Sequence, residues 1–146
     1  MSEAKRLGRS RTRLLSQVAT RSDRLVNEAL AEVDARKWHY AVLATLEEFG
    51  PASQAELSER TRIYRSDLVA VINELTARGE VERAPDPSDR RRNVITLTTA
   101  GGRRLAALDR ILADVEEQLL APLSPADRDE LTRLLATLAE HHGARW

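Results

Sequence analysis

The feature that most constrains the fold is a pair of short β-prone stretches that follows several helical segments. Residues 81–83 and 93–98 are predicted to be strands, and the second is rich in β-branched residues. Residues 84–89, directly after the first strand, read Ala-Pro-Asp-Pro-Ser-Asp, and two prolines with Asp and Ser favour a turn. We therefore predict a β-hairpin whose tip, Asp86–Asn93, carries Arg90, Arg91 and Arg92 outward.

The chain before the hairpin repeats apolar residues at intervals of three and four, as amphipathic helices do. This spacing predicts one helix over residues 10–34 and a second over residues 36–49, which a Gly-Pro pair ends. Ser53 and Glu56 have the spacing of a capping box, in which each side chain bonds the backbone N–H of the other residue. A short third helix is therefore expected from Ser53 to about Arg60.

A fourth helix is predicted from about Tyr64 to Arg78, with Gly79 as its C-terminal stop. Its helical spacing separates a buried apolar stripe from an exposed opposite side. The buried stripe consists of Leu68, Val71, Ile72 and Leu75, and the exposed side carries Arg65, Ser66, Val69, Ala70 and Asn73.

This order of elements predicts a mainly α protein with a small β-hairpin, arranged as a winged helix-turn-helix. The short capped helix, which begins at Ser53 and Gln54, would cross the backbone of double-stranded DNA, and the fourth helix would offer its N-terminal exposed side to the major groove. The arginines of the tip would enter a minor groove or hold phosphates. Asp89 lies two residues before Arg91 and can orient its guanidinium. The alternative is a solvated loop whose arginines pair with nearby Asp residues.

Charge is segregated along the chain although 23 basic and 23 acidic residues cancel. Nearly all charged residues in the segments 1–13 and 90–104 are basic, whereas most charged residues in the segment 109–140 are acidic. One face can therefore be basic while the net charge is zero, so neutrality does not exclude a nucleic-acid partner.

The segment after the hairpin is predicted to form a helix over residues 99–120 and a last helix beginning at Ser124-Pro125. The first of these has a heptad repeat at Leu105, Leu108, Leu112, Val115 and Leu119. The repeat either packs against the last helix within the monomer or forms part of a dimer interface, and we expect a homodimer. The division predicted for the single domain 1–146 is dimerisation helices at 10–34 and 99–146, with a DNA-binding unit at 36–98.

Composition removes several other classes of function. The absence of cysteine excludes disulfides, thiolate catalysis and thiol redox sensing. No apolar run is long enough to cross a membrane and no signal peptide is evident, so a cytoplasmic protein is expected rather than one with a transit peptide at its basic N-terminus. No catalytic constellation or cofactor motif is present, so we expect neither an enzyme nor a cofactor.

The three histidines leave two smaller alternatives open. His39 is interpreted either as a satisfied, half-buried histidine or as a polar contact for a small-molecule effector at the junction of the first, second and fifth predicted helices. His141 and His142 are expected in a solvated tail. A regulator that binds metal through His39, His141 or His142 is a weaker possibility, and no metal site is predicted.

The run from Glu80 to Gly101 resembles the MarR family of bacterial transcriptional regulators, with its V-x-R, D-P-x-D-x-R and L-T-x-x-G pattern. Residues 53–57, Ser-Gln-Ala-Glu-Leu, also look like the family's first helix-turn-helix element. The resemblance implies a triangular homodimer that binds an operator, usually as a repressor released by a small phenolic or anionic molecule. It also implies that Arg91 is the minor-groove arginine and Asp89 its partner. The positions that would face the major groove are Arg65, Ser66, Asp67, Val69 and Ala70.

Two features qualify the resemblance. Tyr64 lies where a short capping residue is expected before the fourth helix, and tyrosine is a poor N-cap. The first helix lacks the Trp of the urate-responsive members, so urate is not expected as a ligand. The principal alternative function is a winged-helix module that binds protein and uses the helix-turn-helix only as a scaffold.

Overall fold

A computed structural model describes residues 1–143 of the chain. The C-terminal residues 144–146 of the predicted dimerisation segment lie outside the described residues. The elements in chain order are α1 (Lys5–Gly8), α2 (Arg11–Ala31), α3 (Lys37–Phe49), β1 (Ala52–Ser53), α4 (Gln54–Thr61), α5 (Arg65–Ala77), β2 (Val81–Pro85), β3 (Asn93–Leu97), α6 (Thr99–Leu120) and α7 (Pro125–His142).

The core lies where α3, α4 and α5 meet the small sheet and the first half of α6. Burial of large aliphatic side chains supplies most of the stabilisation here, at about 1.5–3 kcal/mol for each fully buried side chain. The buried stripe predicted for the fourth helix is confirmed, because all four of its residues are inaccessible to solvent. Members of the core with no exposed surface include Leu43, Leu57, Leu68, Val71, Ile72, Leu75, Ile95 and Leu108.

The three strands form an antiparallel sheet in the order β1-β3-β2. The predicted hairpin is confirmed, with Val81 opposite Leu97 and Pro85 opposite Asn93. Pro85 lies at the end of an edge strand, where its missing N–H costs no ladder hydrogen bond. The third strand, β1, was not expected. Its two residues are too few to show a period, and it covers the second edge of β3 by pairing Ala52 with Ile95.

The predicted helix boundaries differ from the structure mainly at the N-terminal end. The short helix α1 was not predicted, and α2 ends at Ala31 rather than residue 34. Asp34 has a left-handed φ of 55°, which no helix accommodates. The remaining predicted helices are present within one or two residues of the expected bounds.

Part of the heptad repeat of α6 is buried within the chain, but not against the last helix, and its role in a dimer interface stays a prediction. Leu105, Leu108 and Val115 are buried within the chain, and α6 packs along α2 and α3. The last helix, α7, contributes no buried residue although it carries a row of leucines. Packing of the repeat against α7 therefore does not account for the burial, and rows of exposed apolar side chains remain on α2 and α7.

Gly101 allows α6 to begin directly against the sheet. A Cβ at this position would overlap the carbonyl oxygen of Glu80 and lie 2.6 Å from Cδ1 of Leu97. The side chain of Thr98 caps the helix by accepting from the Gly101 N–H at 3.0 Å. The start of α6 is thereby fixed next to the base of the hairpin.

Candidate nucleic-acid interface

The start of α4 is held by the predicted capping box. Ser53 Oγ accepts from the Glu56 N–H at 3.2 Å, and Glu56 Oε2 accepts from the Ser53 N–H at 2.9 Å. Ser53 is buried, so its hydroxyl serves the cap, while Gln54 is half-buried at the first helical position. The two hydrogen bonds between Ser53 and Glu56 fix the position at which α4 begins.

A tight turn joins α4 to α5. Arg62 adopts a left-handed conformation with φ of 61°, and Ser58 Oγ donates to the carbonyl oxygen of Ile63 at 2.7 Å. Tyr64 occupies the N-cap position of α5 but its side chain makes no capping hydrogen bond, as expected for this residue type. Its ring is 58% exposed beside the first turn of α5.

The outward side of α5 carries the predicted stripe of residues. Most of its members are exposed and lie opposite the buried leucines, whereas Asp67 is half-buried. Asn73 is hydrogen-bonded through Oδ1 to Nη2 of Arg83 on β2 at 2.8 Å. The exposed members are Arg65, Ser66, Val69, Ala70 and Asn73.

Backbone hydrogen bonds order the tip of the hairpin. The Asp86 N–H donates to the carbonyl oxygen of Arg92 at 2.7 Å, and the Arg92 N–H donates to that of Asp89 at 3.0 Å. Asp86 Oδ1 accepts from the backbone N–H of Ser88 at 2.9 Å and from its hydroxyl at 2.8 Å. These bonds from Ser88 lower the pKa of Asp86 below its usual value. The turn is therefore built from short polar side chains, as its composition predicted.

Arg91 projects from this ordered tip into solvent. Its side chain is 93% exposed, and its Nε lies 3.4 Å from Oδ1 of Asp89. The same oxygen accepts from the Arg91 backbone N–H at 3.1 Å. An exposed pair of this length contributes little to stability. Its effect is to restrict the direction of the guanidinium, which is the geometry expected for Asp89 and Arg91.

A cleft of about 340 Å³ lies between the N-termini of α4 and α5 and the base of the hairpin tip. It brings together six residues predicted for DNA contact, which are Ser53, Gln54, Arg65, Val69, Arg91 and Arg92. The other six predicted residues lie outside its lining and are Ser66, Asp67, Ala70, Asn73, Asp89 and Arg90. Three lining residues were not predicted, namely Ala55, Leu68 and Asn93. Positions next to a cap or at a strand end could have indicated Ala55 and Asn93.

His39 is enclosed between α3 and α5. Its Nδ1 accepts from the Arg36 N–H at 3.0 Å, and its Nε2 lies 2.6 Å from Oε2 of Glu74. Glu74 also receives Nη2 of Arg36 at 2.8 and 2.6 Å. Burial lowers the pKa of His39, and the hydrogen bond from Arg36 lowers that of Glu74. Both ring nitrogens have partners, which favours the interpretation of His39 as a satisfied histidine.

An apolar groove of about 1560 Å³ runs between α2, α6 and α7 and reaches the first turn of α3 at Lys37 and Tyr40. Only this end of the groove lies at the junction of α2, α3 and α6, where an effector was predicted. His39 is not part of its lining, but its neighbour Tyr40 is. The hydroxyl of Tyr40 donates to Oδ1 of Asp109 at 2.7 Å, and this bond raises the pKa of Tyr40 to about 12. Apolar lining residues from all three helices are Leu15, Val18, Val26, Leu112, Leu119, Leu131 and Leu135.

Residues 1–143 contain neither a cluster of metal-ligating side chains nor a helix that could span a membrane. No group of three or more His, Asp or Glu side chains in this part of the chain could hold a metal ion. Among the described helices, none is both long and apolar enough to cross a bilayer.

The capped helix α4, the outward helix α5 and the antiparallel hairpin behind them define the class of winged helix-turn-helix proteins. Residues 33–92 match the model of the MarR family. The transcriptional regulator HosA of Escherichia coli O111:H- is 30% identical over 102 residues, which cover 70% of this chain and 76% of HosA. The chain belongs to the MarR family of transcriptional regulators.

Other similar proteins agree with this assignment. The HTH-type transcriptional repressor NicR of Pseudomonas putida is 30% identical over 101 residues, covering 69% of this chain. The chain spans less than two thirds of NicR and of two further curated relatives, at 60 to 64% of their length.

Solved structures match over more of the chain. A mutant of MarR from E. coli complexed with operator DNA has a TM-score of 0.76 and 26% identity, covering 87% of this chain and 91% of that one. The PcaV regulator of Streptomyces coelicolor in complex with its natural ligand has a TM-score of 0.79 and 26% identity, covering 96% and 98%.

Proposed function

We propose that this protein is a homodimeric, cytoplasmic DNA-binding regulator that represses transcription from a palindromic operator and is released by a small ligand. The cleft at the base of the hairpin carries the proposal. It places Arg65 at the start of α5 and Arg91 and Arg92 of the tip around one concave surface. A phosphate backbone that enters this cleft would meet guanidinium groups from both sides and the positive end of α5.

The division of labour follows from the same geometry. The unit 36–98 would bind DNA, with Ser53 and Gln54 positioning the backbone, α5 in the major groove and Arg91 in a minor groove. The similar MarR structure with operator DNA supports this mode of binding. We propose no catalytic role for any residue.

Dimerisation is proposed for the helices at both ends of the chain. Leu14, Leu15 and Val18 of α2 and Leu134, Leu135 and Leu138 of α7 are all more than 40% exposed. A monomer would leave these apolar side chains in water, whereas a two-fold dimer would cover them. The two α5 helices would then meet half-sites about one helical turn, roughly 34 Å, apart.

An effector is proposed for the α3 end of the groove, whereas the leucines that line the groove from α2 and α7 are those that the second copy of the chain would cover. The lining of the groove is mostly apolar, with Lys37 and Tyr40 as polar groups at the α3 end, which suits a small phenolic or anionic molecule. PcaV, a structural neighbour, was solved with its natural ligand. A contact from His39 to the effector stays a prediction that its present hydrogen bonds do not favour.

The test of DNA binding starts with selection of duplexes from a library with a randomised centre. Fluorescence anisotropy then measures affinity for the selected duplex between about 50 and 200 mM salt, where phosphate contacts lose affinity steeply. Arg91→Ala is expected to weaken binding by roughly 1–3 kcal/mol and to flatten the salt dependence.

Arg110→Ala is the matched control, because Arg110 is an exposed arginine on α6 and lies outside the cleft. It is expected to bind like the unaltered protein. Equal affinity and equal salt slope for Arg91→Ala would refute the role of the tip. Failure to enrich any duplex would instead favour the winged-helix module that binds protein.

A further inference from the structure

The hydrogen bond between Asn73 and Arg83 links the two parts of the proposed DNA surface. Asn73 is the C-terminal member of the outward stripe of α5, about two helical turns from the start of the helix, and Arg83 lies on β2. Nη2 of Arg83 donates to Oδ1 of Asn73 at 2.8 Å, and both side chains are exposed. The bond therefore fixes the rotamer and the direction of an amide that faces solvent where α5 is proposed to meet bases.

The bond changes which hydrogen-bonding groups the amide can offer. A free asparagine presents one acceptor and one donor, and this combination pairs with the N6 donor and N7 acceptor of adenine. In this protein the carbonyl oxygen of Asn73 already accepts from a permanently charged guanidinium. The oxygen keeps a second lone pair, but a base N–H that approaches it would lie beside that positive group, so the NH₂ is the favoured contact for a ligand.

The groups that the pair presents most favourably are therefore N–H donors, those of the Asn73 amide and the remaining ones of Arg83. In the major groove guanine offers two acceptors, N7 and O6. Adenine offers one acceptor and one donor, and cytosine offers a donor. A surface made only of donors matches guanine best and is mismatched against cytosine.

We propose that Asn73 and Arg83 together read a guanine in each half-site, with Arg83 as the residue that positions the Asn73 amide. This inference rests on the proposed function, since it takes α5 to lie in the major groove. It adds a specificity determinant on β2, outside the helix-turn-helix and outside the hairpin tip.

The test uses the full chain and the same randomised duplex library. Selected sequences of the unaltered protein are expected to hold a guanine at one position of each half-site. Asn73→Ala and Arg83→Ala should each reduce the preference for guanine over adenine at that one position, by roughly 5- to 100-fold. Asn73→Asp makes the outward group an acceptor and should shift the preference there toward cytosine, whose N4 is a donor.

Arg110→Ala controls for the loss of one exposed positive charge and should leave the base preference unchanged. Circular dichroism checks that each variant is folded. If Arg83→Ala weakens binding equally for all sequences, Arg83 is a phosphate contact and the inference is wrong while the proposed function stands. If the unaltered protein enriches no duplex, the proposed function fails and the inference fails with it.

Discussion

Single residues in this protein act by fixing the direction of a neighbour rather than by adding much stability. Oδ1 of Asp89 lies 3.4 Å from Nε of Arg91 and restricts the direction of its side chain. An ion pair in so exposed a place contributes little free energy to folding. His39 is the exception, because it is only 2% exposed and bonds at both nitrogens. Its role at the residue scale is to join α3 to α5.

The protonation state of His39 should make stability depend on pH. The folded protein holds the neutral ring, because Nδ1 accepts from Arg36 and because burial, together with the charges of Arg78 and Arg36, lowers the pKa of His39 below 6.5 despite its bond to Glu74. The unfolded chain then binds more protons as the pH falls below about 6.5. The free energy of unfolding should decrease from pH 7 toward pH 5, by at most about 1.4 kcal/mol per pH unit from this group.

Urea denaturation at several pH values measures this slope. His39→Gln is expected to be less stable at pH 7 and to show a shallower decline, whereas His142→Gln at the exposed end of α7 should keep the decline of the unaltered protein. Staying above pH 5 avoids the carboxylates, since Glu74 loses its contribution only as the pH falls through and below its ordinary pKa of 4.5. Equal slopes for the unaltered protein and His39→Gln would contradict the assignment.

The elements differ in how far their sequence determined them. The capping box of α4 and the turn residues of the hairpin tip are local signals, and both were predicted correctly from a few neighbouring residues. Strand β1 was missed because two residues carry no period and its partner, β3, lies about 40 positions further along the chain. The hydrogen bond from Arg83 to Asn73 was missed for a related reason, because it depends on how β2 packs beside α5.

The start of α6 offers a test of packing between elements. Gly101→Ala should reduce the free energy of unfolding by about 1–3 kcal/mol, because the added Cβ would overlap Glu80 and Leu97 and force α6 away from the sheet. Gly102→Ala is the control, since nothing lies within 4 Å of a Cβ there. It should raise the free energy of unfolding by about 0.5–1 kcal/mol through helix propensity.

Chemical denaturation of both glycine variants measures the difference. A neutral effect of Gly101→Ala would mean that α6 does not approach the sheet closely in solution. A loss of stability in Gly102→Ala as large as that in Gly101→Ala would show that the effect is not specific to the contact.

At the scale of the whole molecule, the first and last long helices each carry a row of exposed apolar side chains. The apolar faces predicted for α2 and α7 are only partly covered by other residues of the same chain. The amphipathic spacing alone could not reveal this. Periodicity shows that a helix has an apolar face, but it does not say whether the same chain or a second copy covers that face.

The proposed dimer should weaken when this surface is charged. Leu135 lines the groove from α7 and is 42% exposed in the chain. Leu135→Asp should raise the dimer dissociation constant by at least about tenfold, because each interface loses apolar burial worth about 1.5–3 kcal/mol per side chain. Sedimentation equilibrium measures this change.

Thr137→Asp places the same charge on α7 outside the groove lining and should leave the dissociation constant nearly unchanged. A monomeric unaltered protein, or equal dissociation constants for both variants, would contradict the proposed role of α7.

Adjacent positions on α3 face in different directions, and this has a mechanical consequence. Tyr40 lines the groove and bonds Asp109 of α6, whereas His39 bonds Glu74 of α5. The first turn of α3 therefore contacts both the groove and α5. A molecule in the groove that displaces this turn must either move α5 with it or break the contacts that Glu74 makes with His39 and Arg36. In the proposed dimer, movement of α5 would change the spacing between the two recognition helices, on which a match to a palindrome depends.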